Sequence, residues 1–509
     1  MTPSACVWNR LLVNTLLLGI GSIASVGCQR TDPPAAKVAV DDFWDVMFVQ
    51  GSRVGHTHTT IKPFDESGRE LVKLLTESQL TIVRYGQKIE QAFELTSIET
   101  PAGELVSFTT RTAFGPTPMD TSGRVNQKSG KLEMSTTVGD REVKSSLPWP
   151  AGCRGFFGSE QSLRERPMQA GERRSFPAVV PIINQIATIE MVGRGKQPTE
   201  LLDGKKHELL RIDTVTLLPD GNEIVMTMWT DAIGETLKTS SPAMQQETFR
   251  TTKALALSKT APGKFDLGLD SMVRIEPPLK NPHGTKKVRY RLELDGGDPA
   301  KVFAPCPSQS VKSLSDHAAE VTVFAINPES LPDGTPKPAK PTDGDLKPNA
   351  LVESDDPRII ELAQAASAGL SGDWELAKAL EKYVHLNVKN KNFSQAFASA
   401  AEVAKSREGD CTEHAVFLAA LLRARGIPAR VAIGLVYVET SQAFGYHMWT
   451  EAWVNGHWIP LDATLGRGGI GGAHLKLLDT NLEGANAYSS FLPVAQVLGR
   501  LKIKVLDVE

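Results

Sequence analysis

The dipeptide Asn455-Gly456 stands between two apolar runs, and it constrains this chain more than any other feature. Asn-Gly at that place closes a β-hairpin through a two-residue type I′ turn. A loop that short fixes the register of both strands. Residues 446–454 and 457–464 read as those strands, with Val454 opposite His457, Trp453 opposite Trp458, Trp449 opposite Asp462 and His447 opposite Thr464. His447 and Asp462 are then diagonal neighbours on one face, within reach of each other's side chains. An imidazole oriented by a carboxylate is the base that a thiol or hydroxyl nucleophile needs.

A nucleophile stands upstream, in Gly409-Asp-Cys-Thr-Glu-His-Ala415. Asp410 and Glu413 have the N-cap and N3 spacing of a capping box. The predicted helix runs through Phe417, Leu418, Leu421 and Leu422 to Gly426, with Pro428 just beyond. Apolar residues occur all round it, so it is expected to be buried. Cys411 falls in its first turn, where free N–H groups and the helix dipole favour a thiolate and could hold an oxyanion. Alone, Cys411 would read as a buried structural thiol; the imidazole–carboxylate pair weighs against that. His414 reads as structural, Glu413 as a cap, and Arg430 as part of the core or a surface pair. Trp449, Trp453 and Trp458 read as sheet packing, with Trp449 able to wall a cleft. No zinc-ligand spacing, calcium loop or phosphate loop occurs, so no metal or cofactor is expected. The glycine-rich run 466–472 reads as a flexible edge of the site.

Four motifs in order, Gly-Asp-Cys411-Thr-Glu-His, Ala424-Arg-Gly-Ile-Pro-Ala-Arg430, His447-Met-Trp-Thr-Glu-Ala-Trp453 and Trp458-Ile-Pro-Leu-Asp-Ala-Thr464, resemble the transglutaminase-like core of bacterial proteins. The resemblance covers roughly residues 356–466. It implies a papain-like α+β fold with a Cys-His-Asp triad: Cys411 as nucleophile, His447 as general base and acid, Asp462 as orienter. Ala463 stands where many members carry proline. The oxyanion partner that the family places upstream of the cysteine does not align; Tyr383, Asn392 and Gln395 are candidates, and none is selected. The resemblance also implies acyl transfer from an amide through a thioester at Cys411. Water as acceptor gives peptidase or deamidase activity, and an amine gives cross-linking.

At 509 residues the chain exceeds one core, so two or three domains are expected. Alternating runs make 36–270 β-rich. Residues 98–106 and 217–225 are weakly alike, each strand, glycine turn, strand, which suggests a repeated meander and two related sheets. Residues 271–326 read as a small β unit and the proline-rich 327–355 as a linker. Helices are predicted near 357–366, 373–386 and 397–405 inside a catalytic core over 356–475, and 476–509 is a C-terminal extension. The whole is α+β, with the papain-like core preceded by a large antiparallel β-rich region.

Residues 1–28 have the apolar run and small residues of an export signal. Ser25-Val26-Gly27-Cys28 resembles a lipoprotein lipobox, making Cys28 the lipidation site; an ordinary cleaved signal or an uncleaved anchor are the other readings. The expected location is the periplasm or cell envelope, lipid-anchored to a membrane. That setting suggests a peptide or protein substrate, including cell-wall peptide, and favours hydrolysis. Of five cysteines, Cys153 and Cys306 could pair or be unrelated loop thiols. A net charge of -3 gives no basic excess, so no nucleic-acid partner is expected. The rival to enzymatic function is a non-catalytic envelope binding or scaffold protein that uses the β-rich region and carries a vestigial triad.

Overall fold

The computed structural model describes residues 40–509 except 114, 116, 182, 220, 259–264, 333–334, 336–337, 394–397, 484–493, 495–496 and 498. Cys28, the export segment and Gln395 lie outside the described residues. The architecture is α+β and mostly antiparallel.

Strands from Asp41–Val49 to Gln246–Thr251 form one 14-stranded sheet rather than two related ones. One meander runs outward from Asp41–Val49 to Arg141–Pro148. A second runs from Arg173–Val180 to Gln246–Thr251. They fuse where Asp41–Val49 pairs antiparallel with Gln246–Thr251, Trp44 opposite Thr251. The weakly alike segments are two of its hairpins, Gln87–Glu99 with Leu105–Ala113 and Lys206–Leu217 with Glu223–Thr230. Alternation decides which face is covered: on Leu105–Ala113, Phe108, Thr110 and Thr112 are buried, while Thr109 and Arg111 face solvent.

A second, 4-stranded sheet has Lys287–Leu294 between Ala318–Phe324 and Leu501–Val508. The small β unit is therefore not separate. The C-terminal stretch, read as an extension, supplies its edge strand, and Val273–Arg274 pairs instead with Ala443–Val454. Nor is the proline-rich run a free tether. Ala339 accepts from Trp458 Nε1 at 3.1 Å, the Lys347 carbonyl from Arg423 at 2.9 Å, and Val352 is fully buried.

Among the described residues the C-terminal core has four helices: α1 Pro357–Ala366, α2 Asp373–Asn387, α3 Ala400–Ser406 and α4 Cys411–Ala424. Its sheet contains β1 Ala429–Val438, β2 Ala443–Val454, β3 His457–Leu461 and β4 His474–Thr480. β1 lies between β2 and β4, and β3 pairs with β2 through the Asn455-Gly456 turn in the expected register, Val454 opposite His457 and Trp453 opposite Trp458. α4 packs on β2. Its residues Val416 to Leu422 are all 0% exposed, so this helix is the centre of the core, as apolar residues all round it require.

Candidate active site

Asp410 caps α4, accepting from Thr412 N at 2.8 Å, while Glu413 reaches back to Asp410 N at 2.9 Å. The capping box accounts for both acids, and burial beside Asp410 pushes Glu413 up to about 8. His414 donates to the Asp410 carbonyl at 2.5 Å, which ties its ring back onto the start of its own helix. With these groups occupied, Cys411 heads the helix as a free, partly buried thiol.

His447 projects from β2 toward it. Its Nε2 donates to Asp462 Oδ2 at 2.8 Å, which leaves Nδ1 for the thiol, and the Cys411 thiol lies within hydrogen-bond reach of the ring. Asp462 follows the last residue of β3 and is 0% exposed; its Oδ1 accepts from Thr464 N at 2.9 Å. The three residues expected from the sequence are thus brought together. Burial alone would lower His447, but the charges of Asp462 and then Cys411 overcome it and raise the imidazole to about 10. The same pairing outweighs burial at Asp462 and holds its carboxyl well below the usual range.

A raised imidazole pKa carries a stability consequence. Between about 6.5 and about 10 the folded chain keeps a proton that the unfolded chain has released. The stabilisation is complete below that window and falls as pH rises through it. Urea titrations of the native chain and His447→Gln should therefore show a stability difference that shrinks from pH 6.5 towards pH 10.

Several site residues carried no sequence signal. The turn between Arg69–Arg84 and Gln87–Glu99 reaches the head of α4 from the large sheet. Arg84 Nη1 pairs with Asp410 Oδ2 at 2.6 Å, and the Tyr85 ring packs 4.8 Å from Phe393. Asp266 fixes that tip by accepting from Tyr85 N at 2.8 Å and Gly86 N at 2.7 Å. Arg84 and Tyr85 join Leu267, Tyr446 and Met448 in lining a cleft of about 230 Å³ that opens on Cys411 and His447. Arg84→Ala leaves the Asp410 carboxylate, 2% exposed, without its cation. A loss of roughly 3 kcal/mol is expected, read as a lower urea midpoint with unchanged slope.

The second missed residue is His474 on β4. Its Nε2 donates to the same Asp462 Oδ2 at 3.0 Å. Burial lowers its pKa against the pull of Asp462, so it is neutral. Ligand atoms of His447, Asp462 and His474 lie within 4.8 Å of one another, a spacing that could hold a metal ion. The hydrogen bonds between them already use those atoms. No sequence rule joins His474 to Asp462, because β2 and β1 lie between their strands.

The oxyanion candidates fare differently. Tyr383 packs edge-on to Phe417, and Asn392 donates to Glu408 at 3.4 Å; neither lines the cleft. Trp449 is buried behind His447, its ring 6.3 Å away. Arg430 joins a buried charge network with Glu451, Asp479 and Lys476 and lies 4.1 Å over Trp458, so it serves the core. Glu381 on α2 accepts from Gly468 N at 2.6 Å and Gly469 N at 3.3 Å, which ties down the glycine-rich run that reads as flexible. Cys153 and Cys306 are both free, and burial pushes the Cys153 thiol up to about 12.

Residues 360–463 match the model of the transglutaminase-like superfamily. The matched segment holds Cys411, His447 and Asp462; Arg84 and His474 lie outside it. No curated protein matches the chain. Among solved structures, a protein of Cytophaga hutchinsonii with a provisional cysteine-protease assignment aligns at 17% identity and a TM-score of 0.28, covering 44% of this chain and 86% of that one. A β-barrel-like protein of unknown function from Brucella abortus aligns at 8% identity and a TM-score of 0.30, covering 42% and 96%. A protein of Parabacteroides distasonis with a provisional protease assignment aligns at 14% identity and a TM-score of 0.17, covering 68% and 63%. At such scores none of the three bears on the chemistry.

Proposed function

We propose that this chain is a transglutaminase-like thiol enzyme that opens amide bonds of peptide or protein substrates through a thioester at Cys411. The observation that carries the proposal is the line from Cys411, at the head of a buried helix, through His447 to a fully buried Asp462.

Each group has one role. The Cys411 thiolate attacks the amide carbonyl, forming the C–S bond. Negative charge on the carbonyl oxygen falls beside the α4 N-terminus, where helix N–H groups favour it. His447, protonated as its raised pKa requires, gives its Nδ1 proton to the departing amine, and the C–N bond breaks. The neutral imidazole then takes a proton from water, or from an incoming amine, as that acceptor attacks the thioester. The thiolate leaves, and acid or new amide is released. Asp462 keeps the His447 Nε2 proton in place throughout, so that Nδ1 faces the reaction.

Hydrolysis is the outcome favoured here, with envelope peptides, including cell-wall peptide, as the substrate class and a lipid at Cys28 as the membrane anchor. Incubating the chain with a glutamine-bearing peptide, with and without a primary amine, tests this by mass spectrometry. Deamidated or cleaved peptide supports hydrolysis. An amine adduct would move the assignment to cross-linking, and an unchanged peptide would count against this donor class.

One observation favours the rival reading. A groove of about 860 Å³ crosses the large sheet, lined by Ile98, Ser107, Arg124, Glu133 and Lys144 among others, and it exceeds the cleft at Cys411. A binding protein would use that groove and would keep its function in Cys411→Ala.

A further inference from the structure

We infer that His474 is a positioning residue for Asp462, making the Cys-His-Asp line a four-residue chain; this rests on the thiol-enzyme reading above.

The need arises from where Asp462 lies. The β2–β3 ladder ends at the Thr450–Leu461 pair, so Asp462 is one residue past its last cross-strand partner. Its neighbouring chain holds only one carboxylate oxygen, Oδ1, through Thr464 N. Among the described residues, Oδ2, which must stay on the His447 Nε2 proton, would otherwise have His447 as its sole donor. His474 supplies the second donor from the far side of β1, at 3.0 Å against 2.8 Å for His447. The carboxylate is then held from three directions, and turning it away from His447 would break a bond at each oxygen.

The surroundings leave His474 little other freedom. It is 1% exposed. The Trp449 ring meets it edge-on at 5.3 Å and the His283 ring at 5.9 Å. The route over β1 is open because Gly434 faces His447 there. A Cβ at Gly434 would stand 2.9 Å from the Trp449 ring and 2.0 Å from the Leu475 carbonyl, so a side chain would displace the wall that holds His474.

The test is the iodoacetamide alkylation rate of Cys411 in the purified chain, followed by peptide mapping with a chelator present, alongside thermal unfolding. Native, His474→Leu and His474→Gln are compared, since glutamine keeps an N–H donor near the place of Nε2. The inference expects His474→Leu to react about tenfold more slowly, the lower end of what supporting hydrogen bonds to a functional ligand command. His474→Gln should return most of that rate at an unchanged thermal midpoint. Equal rates in all three overturn it, as do equally slow Leu and Gln variants. Should the Leu variant not fold, His474→Asn replaces it. Its amide is too short to reach Asp462, so a rate equal to that of Gln overturns the inference. If native Cys411 reacts no faster than in the urea-unfolded chain, the thiol-enzyme reading fails instead, a result separable from the others.

Discussion

Cys411→Ala should fold like the native chain and lose acyl transfer by about 10⁴-fold or more, the scale seen when a nucleophile that acts as a unit with its base is removed. The thiol is partly buried at a helix terminus, so its loss opens no large cavity, and the thermal midpoint should move by only a few degrees. In a chain begun at residue 29, which lacks Cys6 and Cys28, alkylation of the folded protein should vanish in the same variant. Burial pushes up the thiols of both Cys153 and Cys306, so neither can replace the lost label. Peptide mapping after brief iodoacetamide treatment checks this directly: modification confined to the Cys411 peptide in the native chain, and none in the variant. A Cys411→Ala protein that retained full activity would instead place function in the groove of the large sheet.

That so much of the catalytic core is legible in the sequence has a local cause. Asn455-Gly456 fixes a register over a few residues, and register alone brings His447 to Asp462. Asp410 and Glu413 set the helix start by contacts within one turn. Signals of this range survive in a single chain read without its fold. What failed depends on long-range pairing. Alternation marks Asp41–Val49 and Gln246–Thr251 as strands but cannot say that they pair, so one sheet of 14 strands read as two. Leu501–Val508 is short and follows an unmarked stretch; only its partner Lys287–Leu294 identifies it as an edge strand. The linker reading rested on proline content, which describes local stiffness and says nothing of packing against Trp458 and Arg423.

The same limit hid half of the site wall. Arg84 and Tyr85 occupy an ordinary hairpin turn more than three hundred residues before Cys411, with no motif around them. Their role follows from docking: one salt bridge to the capping Asp410 and one aromatic contact with Phe393. The large sheet therefore does more than precede the C-terminal core. It closes the cleft on one side, and a catalytic core cut away at residue 356 would lose that wall and expose Asp410.

Asp462→Asn is the sharper probe of mechanism, because it changes a proton rather than a shape. In the native chain Oδ1 faces the Thr464 N–H and Oδ2 faces two imidazole N–H groups, so both ends of the carboxylate must accept. An amide has only one accepting end. If its oxygen stays on Thr464, the NH₂ group meets His447 and His474 and forces their protons onto Nδ1. His447 then turns a protonated nitrogen towards Cys411 and cannot take a proton from the acceptor. If the amide flips, its NH₂ meets the Thr464 N–H in a 0% exposed site, which costs a buried unpaired donor. Either way the raised imidazole pKa loses its main support, the charge of Asp462. Turnover should fall by about 10⁴-fold through kcat, with KM little changed, since Asp462 is buried away from the cleft lining. Steady-state kinetics on a substrate found for the native chain, together with Cys411 alkylation, checks it. A loss of kcat/KM carried by a raised KM alone would show that Asp462 shapes binding and leaves the proton on His447 untouched.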